Sequence, residues 1–138
     1  MNKTMTLDAT IENLYPILDV VDEELARVDC DKEFISNINI CVEEIFVNIA
    51  SYAYGENIGK AEIGLEITEK EFIMVFCDSG TPYNPLTRAN PDIELSAEER
   101  DIGGLGIFMV KEMMDSVTYE YKEKKNCLRI TKNIPQNE

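Results

Sequence analysis

The hydrophobic positions along this chain change period several times, and each change marks an element. Lys3 to Asp8 alternate weakly and predict an edge strand. From Ile11 to Val28 the apolar residues Ile11, Leu14, Ile17 or Leu18, Val21, Leu25 and Val28 recur at helical spacing, which predicts a first helix that Pro16 should kink or interrupt. A second amphipathic run, Phe34 to Tyr54, has Ile38, Val42, Ile45 and Ile49 as its buried stripe, and Asp29 or Asp31 can cap it. Gly55 to Lys60 ends it. Ala61, Ile63, Leu65 and Ile67 then alternate with Glu62, Gly64 and Glu66, the pattern of a half-buried strand. Phe72 to Cys77 is apolar at every position, as expected of a central strand covered on both faces.

Thr81 to Arg100 breaks the periodicity with Pro82, Pro85 and Pro91 and an acidic tail. An irregular segment of that length in a compact domain is usually a lid or is disordered. A helix from Leu105 to Asp115 follows, burying Val110 and Met114. Two strands complete the pattern, one with Val117, Tyr119 and Tyr121 on a single face and the other, Cys127 to Thr131, with Leu128 and Ile130 inward. The turn between them is placed around Lys124 to Asn126, charged and exposed, and the residues after Asn133 read as a frayed end. No internal repeat is present, and residues 1–138 read as a single domain.

Composition narrows the classes. At 138 residues the chain can bury roughly two-thirds of the surface its unfolded form exposes, so it needs no covalent or metal staple. Cys30, Cys41, Cys77 and Cys127 are scattered, and three fall in apolar patterns, so they read as reduced, mostly buried thiols. With no histidine and no CxxC pair, a structural zinc site is not expected. The net charge of −14 argues against nucleic acid or an anionic membrane as partner. Met1 to Thr10 lacks the apolar core of a signal peptide, and no apolar run approaches ~20 residues. A soluble, cytoplasmic protein is expected.

Three stretches carry chemistry. Asp101-Ile102-Gly103-Gly104-Leu105-Gly106 sets three glycines where a loop turns into a helix, leaving free backbone amides suited to a phosphate. Glu44 and Asn48 stand four residues apart on one helical face, a carboxylate and a carboxamide able to hold a metal ion and orient a hydroxyl. Asp78 closes an apolar strand and opens Asp78-Ser79-Gly80-Thr81-Pro82, where it can accept a hydrogen bond from a ligand. In so acidic a chain, nucleotide phosphates need backbone amides and magnesium around them, with Lys111 as a further candidate that also reads as an exposed solubilising residue. Arg88 and Arg100 are further candidates for phosphate contact on lid closure. Tyr52 and Tyr54 read as packing residues, with Tyr54 nearer a nucleotide rim. Each stretch has a plainer reading as solvated helix, turn opener or hinge; their order in one chain favours the functional one.

In that order the motifs resemble the GHKL ATPase superfamily, the gyrase and histidine-kinase type, over roughly Ile11 to Lys132. The nearest likeness is to its small single-domain branch, the anti-sigma factor serine-protein kinases. Glu44 and Asn48 resemble the N box, Asp78-Ser79-Gly80 the adenine-binding box, and Gly103-Gly104-Leu105-Gly106 the second glycine box. Pro82-Tyr83-Asn84-Pro85 and Ile102 to Ile107 resemble this branch in particular. The resemblance implies an α+β fold, a two-layer α/β sandwich with a mixed sheet covered on one face by helices, and residues 81–102 as an ATP lid. It implies ATP and Mg2+ as cofactors. Asp78 would bind the adenine amino group with Gly80 beside it, Asn48 would ligate the magnesium, Gly103, Gly104, Leu105 and Gly106 would cradle phosphates, and Glu44 would be the catalytic base. The implied function is an ATP-dependent serine/threonine-protein kinase that acts as an anti-sigma factor, phosphorylating an anti-anti-sigma protein and capturing a sigma factor. The alternative is a nucleotide-dependent protein-binding regulatory module with little kinase activity. The branch's usual homodimer would use the first strand or the first helix. Two departures stand out: Tyr52 where the family often has histidine, and Lys125-Asn126-Cys127 where it often has Gly-Thr, which removes a hydroxyl near the adenine.

Overall fold

A computed structural model of the chain describes residues 2–55, 57–87 and 105–135. Strand β1 (Asn2–Asp8) is followed by a single 3-10 turn at Ile11–Asn13 and by helix α1 (Leu14–Leu25). Pro16 neither kinks nor interrupts α1. It is the third helical residue, where the missing N–H is one of those that have no intrahelical partner anyway. Leu14, Ile17, Val21 and Leu25 are buried as the spacing requires, with Leu18 only half-buried, whereas Ile11 is exposed. Helix α2 (Lys32–Asn48) starts at Asp31, whose carboxylate accepts the Phe34 N–H at 2.8 Å; this settles the choice of cap. A π-helical turn, Ile49–Ala53, carries α2 onward. The remaining elements are β2 (Lys60–Ile67), β3 (Glu71–Asp78), a 3-10 turn at Pro85–Thr87, α3 (Leu105–Met113), β4 (Ser116–Lys122) and β5 (Lys125–Asn133).

The sheet runs β1-β2-β3-β5-β4, so β3 is central and β1 an edge, as the alternation predicted. The two-layer α+β arrangement is the expected one; of the mixed sheet, every ladder among the described strands is antiparallel. The period of two in β2 buries Ala61, Ile63, Leu65 and Ile67 under the helices. In β3 the same alternation buries Phe72, Met74, Phe76 and Asp78. Ile73, Val75 and Cys77 lie half-buried on the opposite face, so β3 is not covered on both faces as its composition suggested. The apolar stripe of α2, with Phe34, Ile38, Val42, Ile45 and Phe46, closes over the sheet. By length and composition alone the helical stretch Lys32–Ala53 passes as a membrane span, a test that the core helix of a soluble protein also passes, and its apolar stripe is part of the core.

Two local findings overturn expectations. The β4–β5 turn is Glu123-Lys124, both at positive φ (52° and 64°), not Lys124 to Asn126. Neither residue is a glycine or asparagine, so the local sequence does not announce the turn, and Asn126 is instead a buried strand residue. The second concerns the cysteines. Cys77 and Cys127 face each other in the β3–β5 register with Cα atoms 4.2 Å apart and form a disulfide, while Cys30 and Cys41 are free thiols. Fifty residues separate the pair in sequence, but antiparallel pairing brings them opposite one another, a proximity that no spacing rule reports.

Closing a loop of that length should contribute about 2–4 kcal/mol of stability. Urea denaturation of the oxidised protein against a Cys77→Ser, Cys127→Ser double variant is expected to show that difference. Coincident curves would mean that the bond does not form.

Candidate functional site

Between the end of α2, the end of β3 and the start of α3 lies a cavity of about 640 Å³. That size suits a small organic ligand. Its walls are largely apolar, with Ile45 and Ile49 from the α2 side, Phe76 and Leu128 from the sheet, and Ile107 from α3. Polar groups enter at few points, chiefly Asn48, Asp78, Thr81 and Asn126. Flat apolar walls with a single buried carboxylate suit a heteroaromatic ring that carries a donor.

Asp78 ends β3 and is 8% exposed. Its Oδ1 accepts the Gly80 N–H at 2.9 Å and the Asn126 side-chain amide at 3.0 Å, while Oδ2 receives no hydrogen bond from the described residues. The carboxylate is thus held on one oxygen and available on the other. Gly80 is required by close approach: a Cβ there would lie 2.1 Å from the Ala53 carbonyl oxygen. That same oxygen accepts the Thr81 N–H at 3.0 Å, so the turn after Asp78 is laid directly on the π-helical end of α2. Tyr54 reinforces the junction. Its hydroxyl accepts the Ser79 N–H at 2.8 Å and donates to the Lys60 carbonyl, and its ring occupies the space that a Cβ at Gly59 would fill. Tyr54 is therefore a brace for this turn, and Tyr52, half-exposed, lines the cavity together with Tyr83 and Tyr119.

Asn48, the last residue of α2, lines the cavity with Asp78. Glu44, one turn earlier, is half-buried and lies off the cavity lining. Its carboxylate packs against α3 so tightly that a Cβ at Gly106 would come within 2.3 Å of Oε2. Burial, and secondarily the neighbouring Glu43 carboxylate, push the Glu44 carboxyl above its ordinary value. Leu105 opens α3, and Gly106 is buried. Gly103 and Gly104 lie outside the described residues, as do Arg88, Arg100 and all of the expected lid but 81–87. Lys111 sits exposed in the last turn of α3, which fits the solubilising reading rather than phosphate contact.

Asn126 was missed by the sequence reading, which put it in the exposed turn. Besides Asp78 its amide donates to the carbonyls of Thr81 (3.1 Å) and Gly80 (3.4 Å), and its Oδ1 accepts the Tyr83 N–H (3.0 Å) and the Tyr119 hydroxyl. Only its cross-strand position opposite Asp78 could have signalled this.

The donor set also bears on a metal. Among the described residues no three Asp, Glu, His or Cys side chains cluster, so a divalent ion would depend on oxygens of a phosphorylated ligand and on Asn48. That is a usual arrangement for magnesium, which keeps few protein ligands.

A family model described as histidine kinase-like ATPase domain matches residues 7–132. The chain is 31% identical over 103 residues to a Listeria monocytogenes protein named serine-protein kinase RsbW, covering 71% of this chain and 66% of that one. It is 28% identical over 144 aligned positions to the RsbW of Staphylococcus aureus, covering 97% of this chain and 87% of that protein. Among solved structures it resembles the RsbU and RsbW domains of a Mycobacterium tuberculosis protein, with a TM-score of 0.71 at 15% identity, covering 99% of this chain and 33% of that one. The catalytic domain of histidine kinase ThkA matches at a TM-score of 0.57 and 17% identity, covering 94% and 98% of the two chains.

The two tight glycines make opposite predictions. A methyl at Gly80 meets backbone, so Gly80→Ala should cost about 1–3 kcal/mol in urea denaturation. A methyl at Gly106 meets the mobile end of Glu44 and adds a good helix former, so Gly106→Ala should leave stability within about 1 kcal/mol of wild type. An equal loss in both would contradict these two contacts.

Proposed function

The chain belongs to the histidine kinase-like ATPase domain family, and we propose that it is an ATP-dependent serine/threonine-protein kinase acting as an anti-sigma factor on a small anti-anti-sigma protein in the cytoplasm. The observation that carries this reading is the shared cavity of Asn48 and Asp78, with the Glu44 carboxylate one helical turn away against the start of α3. Relatives named serine-protein kinase RsbW support the kinase chemistry and the regulatory setting.

In this proposal Asp78 accepts a hydrogen bond from the adenine amino group through Oδ2, while Gly80 and Asn126 secure Oδ1. The apolar walls exclude water from the ring. Asn48 would hold magnesium through its amide oxygen, and the ion would supply positive charge to offset that of the phosphates. Glu44 accepts the proton of the partner's serine or threonine hydroxyl as that oxygen attacks the γ-phosphorus and the β–γ bridging bond breaks. A raised carboxyl value suits such a base, because it lies closer to working pH.

One observation favours the second reading, a nucleotide-dependent binding module with little transfer activity. Glu44 lies outside the cavity lining and packs on Gly106. The variant Glu44→Gln separates the two. Under the kinase reading it should keep magnesium-dependent ATP affinity while lowering radiolabel transfer to the partner by about 10²- to 10⁴-fold, and Asn48→Ala should lose the magnesium-dependent part of binding. Unchanged transfer in Glu44→Gln would remove the base assignment, and absent nucleotide binding would remove both readings.

The pH behaviour has a definite sign. Because the folded protein holds Glu44 above its ordinary value, the transfer rate should fall on acidification through an acid limb above that value. The same shift means that ionised Glu44 opposes folding, a penalty absent below the ordinary value and fully present above the raised one. Glu44→Gln should therefore melt at a higher temperature than wild type at neutral pH, with the gap closing in acid.

A further inference from the structure

We infer that Asn126 is a positioning residue that locks the Asp78 carboxylate and the chain at 80–83 into one unit, and so sets how strongly the site prefers a 6-amino purine over its 6-oxo analogue. This rests on the adenine-nucleotide reading above. The side chain is buried, 7% exposed, and every hydrogen-bonding valence of its amide is used. The NH2 group has two hydrogens, which meet Asp78 Oδ1 at 3.0 Å and the Thr81 carbonyl at 3.1 Å, with the Gly80 carbonyl at 3.4 Å as a third, weaker acceptor. The oxygen has two lone pairs, which receive the Tyr83 N–H and the Tyr119 hydroxyl.

The amide can sit only one way round. Turned over, its NH2 would face the Tyr83 N–H and its oxygen would face a carboxylate and two carbonyls. Burial, and to a lesser degree the Asp78 charge, push the Tyr119 phenol up, so it remains protonated and a donor. The position is also secured from the far side of the sheet: Asp78 and Asn126 are cross-strand partners, and the adjacent pair, Cys77 and Cys127, is covalently joined on the opposite face.

This arrangement bears on base choice. An adenine amino group donates to an ionised, aimed carboxylate, whereas the 6-oxo group of hypoxanthine places an acceptor against it. Without Asn126 the carboxylate keeps, among the described residues, only the Gly80 N–H. It can then turn away from the position of the amino group, and the preference shrinks. Thr81 and Tyr83, at the root of the 81–87 segment, lose their tie to β5 in the same step.

The test is calorimetric titration of ATP and inosine triphosphate, with magnesium, into the wild-type protein, Asn126→Leu and Asn126→Asp. Circular dichroism melting accompanies each. Wild type should prefer ATP, and Asn126→Leu should reduce that preference by about tenfold, the worth of one buried hydrogen bond to a charged group. A purely structural role would weaken both nucleotides alike and leave their ratio intact. Asn126→Asp sets two carboxyls side by side. Its ATP affinity should be weak near about pH 8.5 and recover toward about pH 6, as one carboxyl gains a proton and again donates to Asp78. Should the leucine variant not fold, this pH recovery, absent in wild type, decides alone. A wild-type protein that binds no ATP overturns both the inference and the reading beneath it. Wild-type binding with an unchanged ATP preference in Asn126→Leu, or with a pH-independent Asn126→Asp, overturns the inference only.

Discussion

A carboxylate buried at the end of a central strand must be met by donors, and the arrangement around Asp78 answers that demand. Left unpaired at 8% exposure, the charge would cost several kcal/mol. The Gly80 N–H and the Asn126 amide prevent this, and each needs a specific piece of architecture. The first needs a turn tight enough to fold back on Asp78, which Gly80 permits because Ala53 leaves no room for a Cβ. The second needs β3 and β5 in the register that sets residue 78 against residue 126. Sheet register, turn and the end of α2 therefore constrain one another through a single side chain.

The other acid, Glu44, has been met less fully. Its carboxyl is raised by burial, and its Oε2 fills the space that a Cβ on Gly106, in the first turn of α3, would take. Such a group disfavours folding at neutral pH, a cost the protein carries next to its cavity. The contrast between a satisfied Asp78 and a perturbed Glu44 fits the division of labour proposed for them, one binding and one accepting a proton.

Much of this was legible along the chain. The helical stripe of α2, the alternation in β2 and the cap chemistry near Asp31 are local signals, and each became the element it announced. The grouping of Asn48 and Asp78 around one cavity followed from the order of the motifs. What was misread is non-local. Pro16 looked like a breaker because its distance from the helix start was unknown, and three residues of offset made it harmless. Cys77 and Cys127 looked like unrelated thiols because no sequence rule counts across a sheet. Asn126 looked like turn chemistry because the actual turn uses Glu123 and Lys124, residues that seldom take positive φ.

The amino-acid order by itself determined the periodicities, hence which faces are apolar and where helices and strands alternate, together with the three motif stretches and their order. Those depend on residue type and on neighbours within a few positions, where backbone sterics and the hydrophobic effect act. Only the tertiary structure decided which strand residues stand opposite each other. Strand register is set by packing of the whole sheet under the helices, and through it Cys77 meets Cys127, Asp78 meets Asn126 and an apparent turn asparagine becomes the buried partner of the cavity's carboxylate.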